Sequence, residues 1–477
     1  MFTRLSLRLR IFLFFCLLAL GAAALAGGAL YFGWARSEAV LPGAPFITAL
    51  VAFAFLNTAL VLAIWLLFDE NVAKPIDKLA SELRLRAHSG VDKEVETDVA
   101  KYLGDLAPAA NAVSATLNTN VVDTAAQVAR ETERLQAETA RLTALLTEIP
   151  LATILVNPAN EIVLYDGQAA EVLAQIACPR LKAPLTDYFD ANSLAAAQTK
   201  LNETHTEFTT RLEDITGTKS FGVRLKPLEG SGYMLILDAE TATNRPHKPR
   251  PLVYDFGLLE TSQTTDIMDM HLKSLCFVAF DTETTGLSPE TDDVVQIGAV
   301  RVLNGRIVAG EILDSYVNPG RPIPPASTKV HRVTDDHVRG APNFVKAGQQ
   351  LHHFARDAVL VAHNAPFDLA FLHRFAPQMD VEWSHPVLDT VLLSAVVFGT
   401  TEQHSLDALC DRLSIRIPAE LRHTALGDAQ ATAEALVKLI PLLEGRGLVT
   451  FGEVIAETRK HGRLLQDMNP AKPSSNP

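Results

Sequence analysis

The sequence has few cysteines, and they are too far apart to act together. The four thiols are spread over 477 residues, at Cys16, Cys178, Cys276 and Cys410. No two of them have the Cys-x-x-Cys spacing of a zinc or redox site, and their separations do not fit a disulfide framework. We therefore exclude a zinc-finger or disulfide-stabilised fold and expect buried thiols in a reducing compartment.

Positive charge is also scarce. The chain has 42 Lys and Arg against 55 Asp and Glu, which gives a formal net charge of −13. Proteins that hold a phosphate backbone by charge alone are usually basic, so any phosphate contact here should depend on bound cations or on a local patch. At roughly 100–200 residues per domain, the length allows two to four domains.

Charged residues are absent from two long apolar runs, residues 11–34 and 47–68. Each run is long enough to cross a hydrocarbon core of about 30 Å as a helix, so residues 1–70 are predicted to anchor the chain in a lipid bilayer by two spans. Basic residues flank the pair, and the positive-inside rule then places both ends in the cytoplasm. A cleaved signal peptide, with small residues at 23–26, is the alternative for the first run.

Residues 71–120 follow the second run and are predicted to form juxtamembrane helices. Their start, Lys74-Pro75-Ile76-Asp77-Lys78-Leu79, resembles the first helix of a HAMP linker, and a proline suits a helix start. The second HAMP helix would fall near 98–117, where the pattern matches poorly. A plain juxtamembrane helix is therefore an equal alternative.

Residues 121–149 have a heptad pattern. Apolar residues recur every seven positions, at Val121, Val128, Leu135, Leu142 and Ile149. Charged residues lie between them, which is typical of a coiled coil. The pattern predicts a parallel homodimer, and a single amphipathic helix is the alternative.

Residues 150–240 alternate short apolar strands with turns. The runs 152–156 and 161–165 flank an Asn/Pro turn and predict a β-hairpin. Further strands are expected at 206–212, 220–227 and 232–238. This order, after a coiled coil, resembles a PAS domain, an α+β fold. No Cys or His is placed to hold flavin or haem, which favours a structural or dimerising role.

The first chemically informative motif follows a buried strand. Residues 275–280 are continuously apolar and lead into Asp281-Thr282-Glu283-Thr284-Thr285-Gly286-Leu287. Residues two apart in a strand face the same side, so Asp281 and Glu283 present two carboxylates together. Such a pair is unfavourable unless a cation neutralises it. Residues 294–302 and 306–316 then predict an antiparallel meander that begins a mixed sheet.

Two further acidic motifs follow at helix starts. An apolar run at 358–362 precedes His363-Asn364-Ala365-Pro366-Phe367-Asp368, and His423 lies five residues before Asp428 and an Ala-rich helix. Taken singly, an acid at a helix start is usually a cap. The combination of these motifs with the first one, in this order, is far more specific.

The motifs DxE, HNxxFD and HxxxxD together resemble the DEDDh exonucleases, which include the proofreading subunit of bacterial replicative polymerases. The resemblance implies an α/β fold with an RNase H-like mixed sheet, assigned to residues 272–447, and 3′→5′ exonuclease activity. A linker at 241–271 would precede this domain, and a helix and a disordered tail at 448–477 would follow it. One departure from the family pattern is Arg332, where many relatives have glycine. The resemblance therefore does not predict the backbone conformation at this residue.

The resemblance also implies two divalent cations, Mg²⁺ or Mn²⁺. Asp281 would bridge them, Glu283 and Asp428 would complete one site, and Asp368 would hold the second. His423 is implied as the general base. Further positions that the resemblance assigns to the 3′-terminal nucleotide or to orienting the site are Thr284, Thr285, Leu287, Asn364 and Phe367.

These features favour an exonuclease at the bacterial inner membrane that acts on nucleic acid with a free 3′ end, DNA rather than RNA, with a polymerase as a candidate partner. Two alternatives stay open. The same chemistry could act on RNA, because contacts to the 2′-hydroxyl cannot be placed from sequence. A membrane sensor could use the nuclease fold only to bind nucleic acid, although the presence of all four carboxylates favours the enzyme.

Overall fold

The structure is a computed structural model that describes residues 7–36, 42–89, 151–228, 232–237, 252–259 and 266–470. The chain divides into two compact units, Met1–Ala125 and Ala126–Pro477. The expected second HAMP-like helix, the coiled coil with its dimer, and the first part of the linker lie outside the described residues.

The first unit contains two long apolar helices, α1 (Leu7–Ala35) and α2 (Ala44–Phe68). Both are long and apolar enough to cross a membrane, by length and composition, and their apolar side chains are largely exposed. The two helices contact each other through an edge-to-face pair, Phe12 and Trp65, with ring centroids 5.0 Å apart. Asn57 of α2 also donates a hydrogen bond to the Ala19 carbonyl of α1 at 3.0 Å, which satisfies one polar group of an otherwise apolar helix.

A π-helical turn, Asp69–Ala73, joins α2 directly to α3 (Lys74–Ser89). The turn is closed by a hydrogen bond from the Lys74 amide to the Asp69 carbonyl. Pro75 therefore falls in the first turn after the widened π-helical segment, where its missing N–H is tolerated. The sequence predicted a helix start at this proline, whereas the structure continues the helix through it.

The described part of the second unit begins with an antiparallel sheet. Its strands are β1 (Ala152–Val156), β2 (Ile162–Tyr165), β3 (Phe208–Glu213), β4 (Ser220–Pro227), β5 (Tyr233–Leu237) and β6 (Val253–Tyr254), in the order β3-β4-β5-β1-β2-β6. The predicted hairpin of β1 and β2 and the three later strands are confirmed. Helices α4 (Gly167–Leu173) and α5 (Ala191–Thr204) also belong to this part of the chain. We call the described residues between 151 and 259 the sheet lobe.

The expected linker is partly structured. Strand β6 lies inside residues 241–271 and pairs with β2 through Leu164 opposite Tyr254. Val253 is buried there, because the edge of β2 offers it unpaired backbone groups and an apolar neighbour. Prolines mark the segment as a linker in sequence, but the β-forming pair directly after them extends the sheet lobe.

The second sheet of this unit is mixed, as predicted. Its strands are β7 (Cys276–Thr284), β8 (Val294–Leu303), β9 (Arg306–Tyr316), β10 (Val359–Ala362) and β11 (Val387–Asp389), in the order β11-β10-β7-β8-β9. Strands β7, β8 and β9 form the expected antiparallel meander, and β10 runs parallel to β7 and β11. We call this sheet and the helices around it the nuclease domain, after the family that its sequence motifs resemble.

Helices surround this sheet and carry most of the polar motifs. They are α6 (Pro325–His331), α7 (Asp335–Val338), α8 (Phe344–Phe354), α9 (Ala365–Met379), α10 (Thr390–Phe398), α11 (Leu406–Leu413), α12 (Ala425–Glu444) and α13 (Phe451–Thr458). Helix α12 packs along β7 and β8, whereas α8 packs on β8 and β9. The small residues of α12, such as Ala429 and Ala433, are fully buried and allow this close approach.

A buried ion pair connects the nuclease domain to the sheet lobe. Arg301 of β8 and Glu311 of β9 lie 2.7 Å apart and are each about 1% exposed or less. The Tyr165 hydroxyl of the sheet lobe donates to Glu311 at 3.0 Å, and Arg301 donates to the Leu181 carbonyl at 3.1 Å. The Leu181 amide also donates to Glu311. Because buried charges are costly unless they are paired and hydrogen-bonded, these contacts make the two parts depend on each other.

A second polar cluster joins the same two parts. Arg356, which follows α8, pairs with Asp187 of the sheet lobe at 2.6 Å, and Arg180 also pairs with Asp187. Arg180 donates in addition to the Arg356 carbonyl at 3.3 Å. One hydrophobic core also runs continuously through both parts. The sheet lobe and the nuclease domain are therefore joined by a shared hydrophobic core and by two clusters of polar contacts.

Replacing Tyr165 with Phe should destabilise this unit. The substitution removes only the hydroxyl and leaves the buried Glu311 carboxylate one donor short, so we expect the free energy of unfolding to fall by roughly 1–3 kcal/mol. Thermal unfolding of the detergent-solubilised full chain measures the effect as a lower midpoint. Tyr254→Phe makes the same change at an exposed tyrosine of β6 and should leave the midpoint unchanged. Equal midpoints for both variants would contradict the role of the network.

Candidate active site

Strand β7 places two carboxylates at its end. Asp281 and Glu283 are two residues apart, so they face the same side of the sheet. Each is opposite a residue of β8, Asp281 opposite Gly298 and Glu283 opposite Gln296. The apolar run before them is fully buried and fixes the direction of the strand.

Helix α12 brings a third carboxylate to the same place. Its N-cap, Thr424, accepts a hydrogen bond from the Gly427 amide at 3.1 Å. The helix therefore begins at Ala425, and Asp428 lies in its first turn. One oxygen from each of Asp281, Glu283 and Asp428 lies within 4.8 Å of the other two. Residues more than 140 positions apart in sequence thus form one cluster of hard oxygen ligands.

The fourth predicted carboxylate, Asp368 in the first turn of α9, is held by the backbone and side chain of Thr282. Its Oδ1 accepts from the Thr282 amide at 3.1 Å and from the Thr282 hydroxyl at 2.6 Å. Asp368 is not a member of the three-residue cluster, but it is close enough that its charge raises the pKa of Asp281. The structure therefore brings three of the predicted ligands together and places the fourth beside them.

Burial and mutual repulsion dominate the electrostatics of this site. Burial raises the pKa of Glu283 to about 8, and the charges of Asp428 and Asp368 add to the shift. Burial also raises the pKa of Asp368 to about 7, although the hydrogen bonds from Thr282 oppose it. The pKa of Asp281 is raised well above its usual range by burial and then by the other three carboxylates.

This donor set fits divalent cations. It consists of carboxylate oxygens alone, which Mg²⁺ and Mn²⁺ prefer over nitrogen or sulfur ligands. At Asp281 and Glu283, the causes of the raised pKa values are burial and the charges of neighbouring carboxylates. A bound cation would relieve both the repulsion and the burial cost.

His423 lies in the loop before α12. Its side chain is exposed, its backbone is in the left-handed region with φ 56°, and its charge lowers the pKa of Asp428 against the effect of burial. This places an imidazole at the solvent side of the carboxylates. The sequence predicted a loop position for this histidine, and the structure agrees.

The last residue of β7 and the loop after it contain the three residues expected to meet the end of a nucleic acid. The Thr284 hydroxyl donates to the Gly286 carbonyl at 2.6 Å, and Thr285 accepts from Arg321 at 2.7 Å. Leu287 is 88% exposed, an unusual position for a large apolar side chain. The loop therefore presents one apolar side chain to solvent on a hydrogen-bonded base.

The two remaining predicted residues lie at the start of α9. Asn364 is its N-cap residue in the left-handed conformation, with φ 70°, and it makes no side-chain cap. Phe367 is partly buried and packs edge-on against Phe371 with ring centroids 5.3 Å apart. Both shape the turn that delivers Asp368.

Asp389 holds the turn at the start of α9 in place. Its carboxylate accepts from the Ala365 amide at 2.6 Å and from the Val391 amide at 2.7 Å, so it caps α9 and α10 together. Thr282 and Gln296 were not predicted as site residues. Thr282 faces the opposite side of β7 from the carboxylate pair. Gln296 is uncharged, so the search for acidic motifs did not include it.

The backbone conformation of Arg332 explains why many relatives have glycine at this position. It ends α6 in the left-handed conformation, with φ 62°, where glycine is favoured. The turn still places His331 against the back of the site, because its Nε2 lies 3.2 Å from the Thr284 carbonyl. The Arg332 side chain reaches the Ala419 carbonyl at 3.4 Å, in the segment before His423.

Comparison with known proteins identifies relatives of the nuclease domain and of the whole chain. The family profile RNase_T, described as Exonuclease, matches residues 278–436. A DNA polymerase III subunit epsilon-like protein of Rhodobacter capsulatus is 32% identical, over 98% of this chain and 99% of the relative. A DNA polymerase III PolC-type protein of Caldanaerobacter subterraneus is 35% identical over 37% of this chain and 12% of its own length.

Solved structures also match part of the chain. Exonuclease X in complex with 5′ overhanging duplex DNA is 27% identical, with 38% of this chain and 99% of that chain covered and a TM-score of 0.30. E. coli Exonuclease I in complex with a dT13 oligonucleotide is 20% identical, with 36% and 42% covered and a TM-score of 0.33.

The raised pKa values predict that cation binding depends on pH. The metal-free folded chain binds more protons than the unfolded chain between the ordinary and the raised pKa values of Glu283 and Asp368, so its stability falls as pH rises from about 4 towards 8. Cation binding must release these protons, and the affinity for Mn²⁺ should rise from pH 6 to pH 8, by up to roughly tenfold per pH unit for each proton released.

Calorimetry in two buffers of different ionisation enthalpy measures the proton release directly. The full chain in detergent, freed of metal, is titrated with Mn²⁺ at pH 6, 7 and 8. Glu283→Gln is the matched variant, because it keeps the shape of the side chain and should release fewer protons. An affinity that is constant over this range, without proton release, would show that the carboxyl groups are already ionised.

Proposed function

This chain belongs to the exonuclease family of DNA polymerase III epsilon-like proteins, and from that premise we propose that it is a membrane-anchored 3′→5′ exonuclease. It hydrolyses phosphodiester bonds of DNA, one nucleotide at a time, from a free 3′ end. The observation that carries the proposal is the convergence of Asp281, Glu283 and Asp428 within 4.8 Å, with Asp368 beside them. All four carboxylates that the chemistry needs are present and meet at one strand end.

Two divalent cations, Mg²⁺ or Mn²⁺, are the proposed cofactors. Asp281 would contribute to both cation sites, Glu283 and Asp428 would complete one of them, and Asp368 would contribute to the other. When bound, such ions neutralise the carboxylates and stabilise the charge on the attacking and leaving oxygens of a phosphodiester. Thr282 keeps Asp368 in place for this role through its two hydrogen bonds.

His423 is the proposed general base. It lies in the loop that leads into Asp428, and its exposed imidazole can take a proton from a water molecule and pass it to solvent. The left-handed backbone at this residue fixes the direction in which the side chain leaves the loop. Its neighbour Thr424 caps α12, so the base and the carboxylate of Asp428 share one rigid support.

The loop after β7 is the proposed site for the 3′-terminal nucleotide. The exposed Leu287 packs against the terminal base, and such an apolar contact does not depend on which base is present. Thr284 and Thr285 meet the sugar end, and Asn364 and Phe367 orient the turn before Asp368. An acidic protein can bind a polyanion in this way, because the cations supply the positive charge locally.

The rest of the chain supports a membrane location for this reaction. The two long apolar helices anchor the chain by two spans in the bacterial inner membrane, with the nuclease domain in the cytoplasm. The sheet lobe is a PAS-like structural domain, and the predicted coiled coil makes a homodimer. A polymerase is a candidate partner, because the relatives from Rhodobacter capsulatus and Caldanaerobacter subterraneus carry polymerase III names.

Replacing Asp281 with Asn should abolish degradation. The purified full chain in detergent is given 5′-labelled single-stranded DNA and Mg²⁺, and we expect a ladder that shortens from the 3′ end and stops with EDTA. Loss of a bridging ligand removes several kcal/mol of charge stabilisation, which is roughly a thousandfold in rate. Asp336→Asn, at an exposed aspartate paired only with Arg339, is the matched control and should keep full activity. Activity in Asp281→Asn would remove this residue from the mechanism.

The choice between DNA and RNA has its own experiment. Oligonucleotides of one sequence, made as DNA and as RNA and labelled at the 5′ end, are degraded side by side under single-turnover conditions. We expect the DNA strand to shorten faster, because the two relatives named above carry DNA polymerase III names. Equal or faster shortening of the RNA strand would assign the activity to RNA turnover.

A further inference from the structure

Gln296 occupies a central place in the site, although it carries no charge. It lies on β8 directly opposite Glu283 and is only 4% exposed. Its side chain makes two hydrogen bonds to different elements. The Oε1 atom accepts from the Ala425 amide at 3.3 Å, and the Nε2 atom donates to Asp314 Oδ1 of β9 at 2.9 Å.

The first of these bonds reaches the start of helix α12. The Ala425 amide belongs to the first helical residue, and such amides have no partner within the helix. Three residues further along the helix is Asp428, and two residues before Ala425 is His423. A side chain on the nuclease sheet therefore holds the end of the helix that delivers both of these groups.

Gly298 shows how closely the same helix end approaches β8. A Cβ atom built on Gly298 would come within 2.2 Å of the Ala425 carbonyl carbon and of the Leu426 amide nitrogen. Gly298 is opposite Asp281 in the register, so the backbone of α12 touches the sheet next to the predicted bridging ligand. With Gly298 allowing contact and Gln296 binding the amide, the position of α12 along β8 is fixed at two points.

The second bond fixes the orientation of the Gln296 amide. Oδ1 of Asp314 accepts in this bond, so the NH₂ group of Gln296 faces Asp314 and its carbonyl faces Ala425. A glutamate at this position could accept from Ala425 but could not donate to Asp314. It would also add a further negative charge opposite Glu283, where three other carboxylates already repel one another.

We propose that Gln296 is a positioning residue, which sets Asp428 and His423 relative to Asp281 and Glu283 so that the carboxylates can bind divalent cations together. This inference rests on the proposed function and deepens it, since it names a neutral side chain that the cation site requires. Groups that orient metal ligands commonly change metal affinity or activity by about 10–100-fold when they are replaced.

The test compares Gln296→Met with the wild-type full chain in detergent. The variant keeps the length and burial of the side chain but loses both hydrogen bonds. We expect Mn²⁺ to bind at least about tenfold more weakly by calorimetry without substrate, and kcat on single-stranded DNA to fall by a similar factor at an unchanged KM. Gln296→Glu should lose affinity as well, because it cannot donate to Asp314.

Gln349→Met is the matched control for loss of a hydrogen bond by the same substitution. Gln349 lies on α8 and donates to the Met379 carbonyl at 2.8 Å, away from the carboxylates. Because Gln349 is exposed and makes one hydrogen bond, this variant should lower the thermal midpoint less than Gln296→Met and leave Mn²⁺ affinity unchanged. The proposal is overturned if Gln296→Met or Gln296→Glu binds Mn²⁺ as the wild type does, or if Gln349→Met weakens binding equally.

These outcomes separate this inference from the proposed function. If the wild type degrades DNA and Gln296→Met binds Mn²⁺ normally, the exonuclease assignment stands and the positioning role fails. If the wild type binds Mn²⁺ but degrades neither DNA nor RNA, the exonuclease assignment fails. The comparison of Mn²⁺ affinities then still decides the role of Gln296.

Discussion

Repulsion among four carboxyl groups is the constraint around which the nuclease domain is organised. Asp281 and Glu283 are adjacent on one face of β7, Asp428 faces them from α12, and the charge of Asp368 reaches Asp281. Such an arrangement is unfavourable by itself, so hydrogen bonds from the surrounding residues must hold it. Thr282 fixes Asp368, Thr424 caps the helix of Asp428, and Asp389 secures the turn at the start of α9.

The parts of this arrangement that follow local rules could be predicted from the sequence. A continuous apolar run identified β7, alternation of facing sides paired Asp281 with Glu283, and the meander of β7 to β9 followed from short β-forming runs with turns. The order of the acidic motifs then suggested the family. A helix end has chemical signals of its own, which is why Asp368 and Asp428 were placed at helix starts.

Other parts depend on contacts between distant segments and leave no local trace. Thr282 looks like any strand residue until α9 delivers a carboxylate to it, and Gln296 looks like a stray polar residue in an apolar strand. Arg301 would be expected to face solvent, but it is fully buried because Glu311 and the Leu181 carbonyl meet it there. Strand β6 was missed for a different reason, since the prolines before it suggested a linker.

The buried pair of Arg301 and Glu311 has a consequence for the ancestry of this chain. A nuclease sheet that never met a sheet lobe would gain nothing from an ion pair at this place, because no hydroxyl and no peptide group would be there to solvate it. Relatives that share the nuclease but have no such lobe should have apolar or water-exposed side chains at these two positions. The residues at these two positions, compared among genomes that encode the nuclease, therefore indicate whether the nuclease domain and the sheet lobe have evolved together.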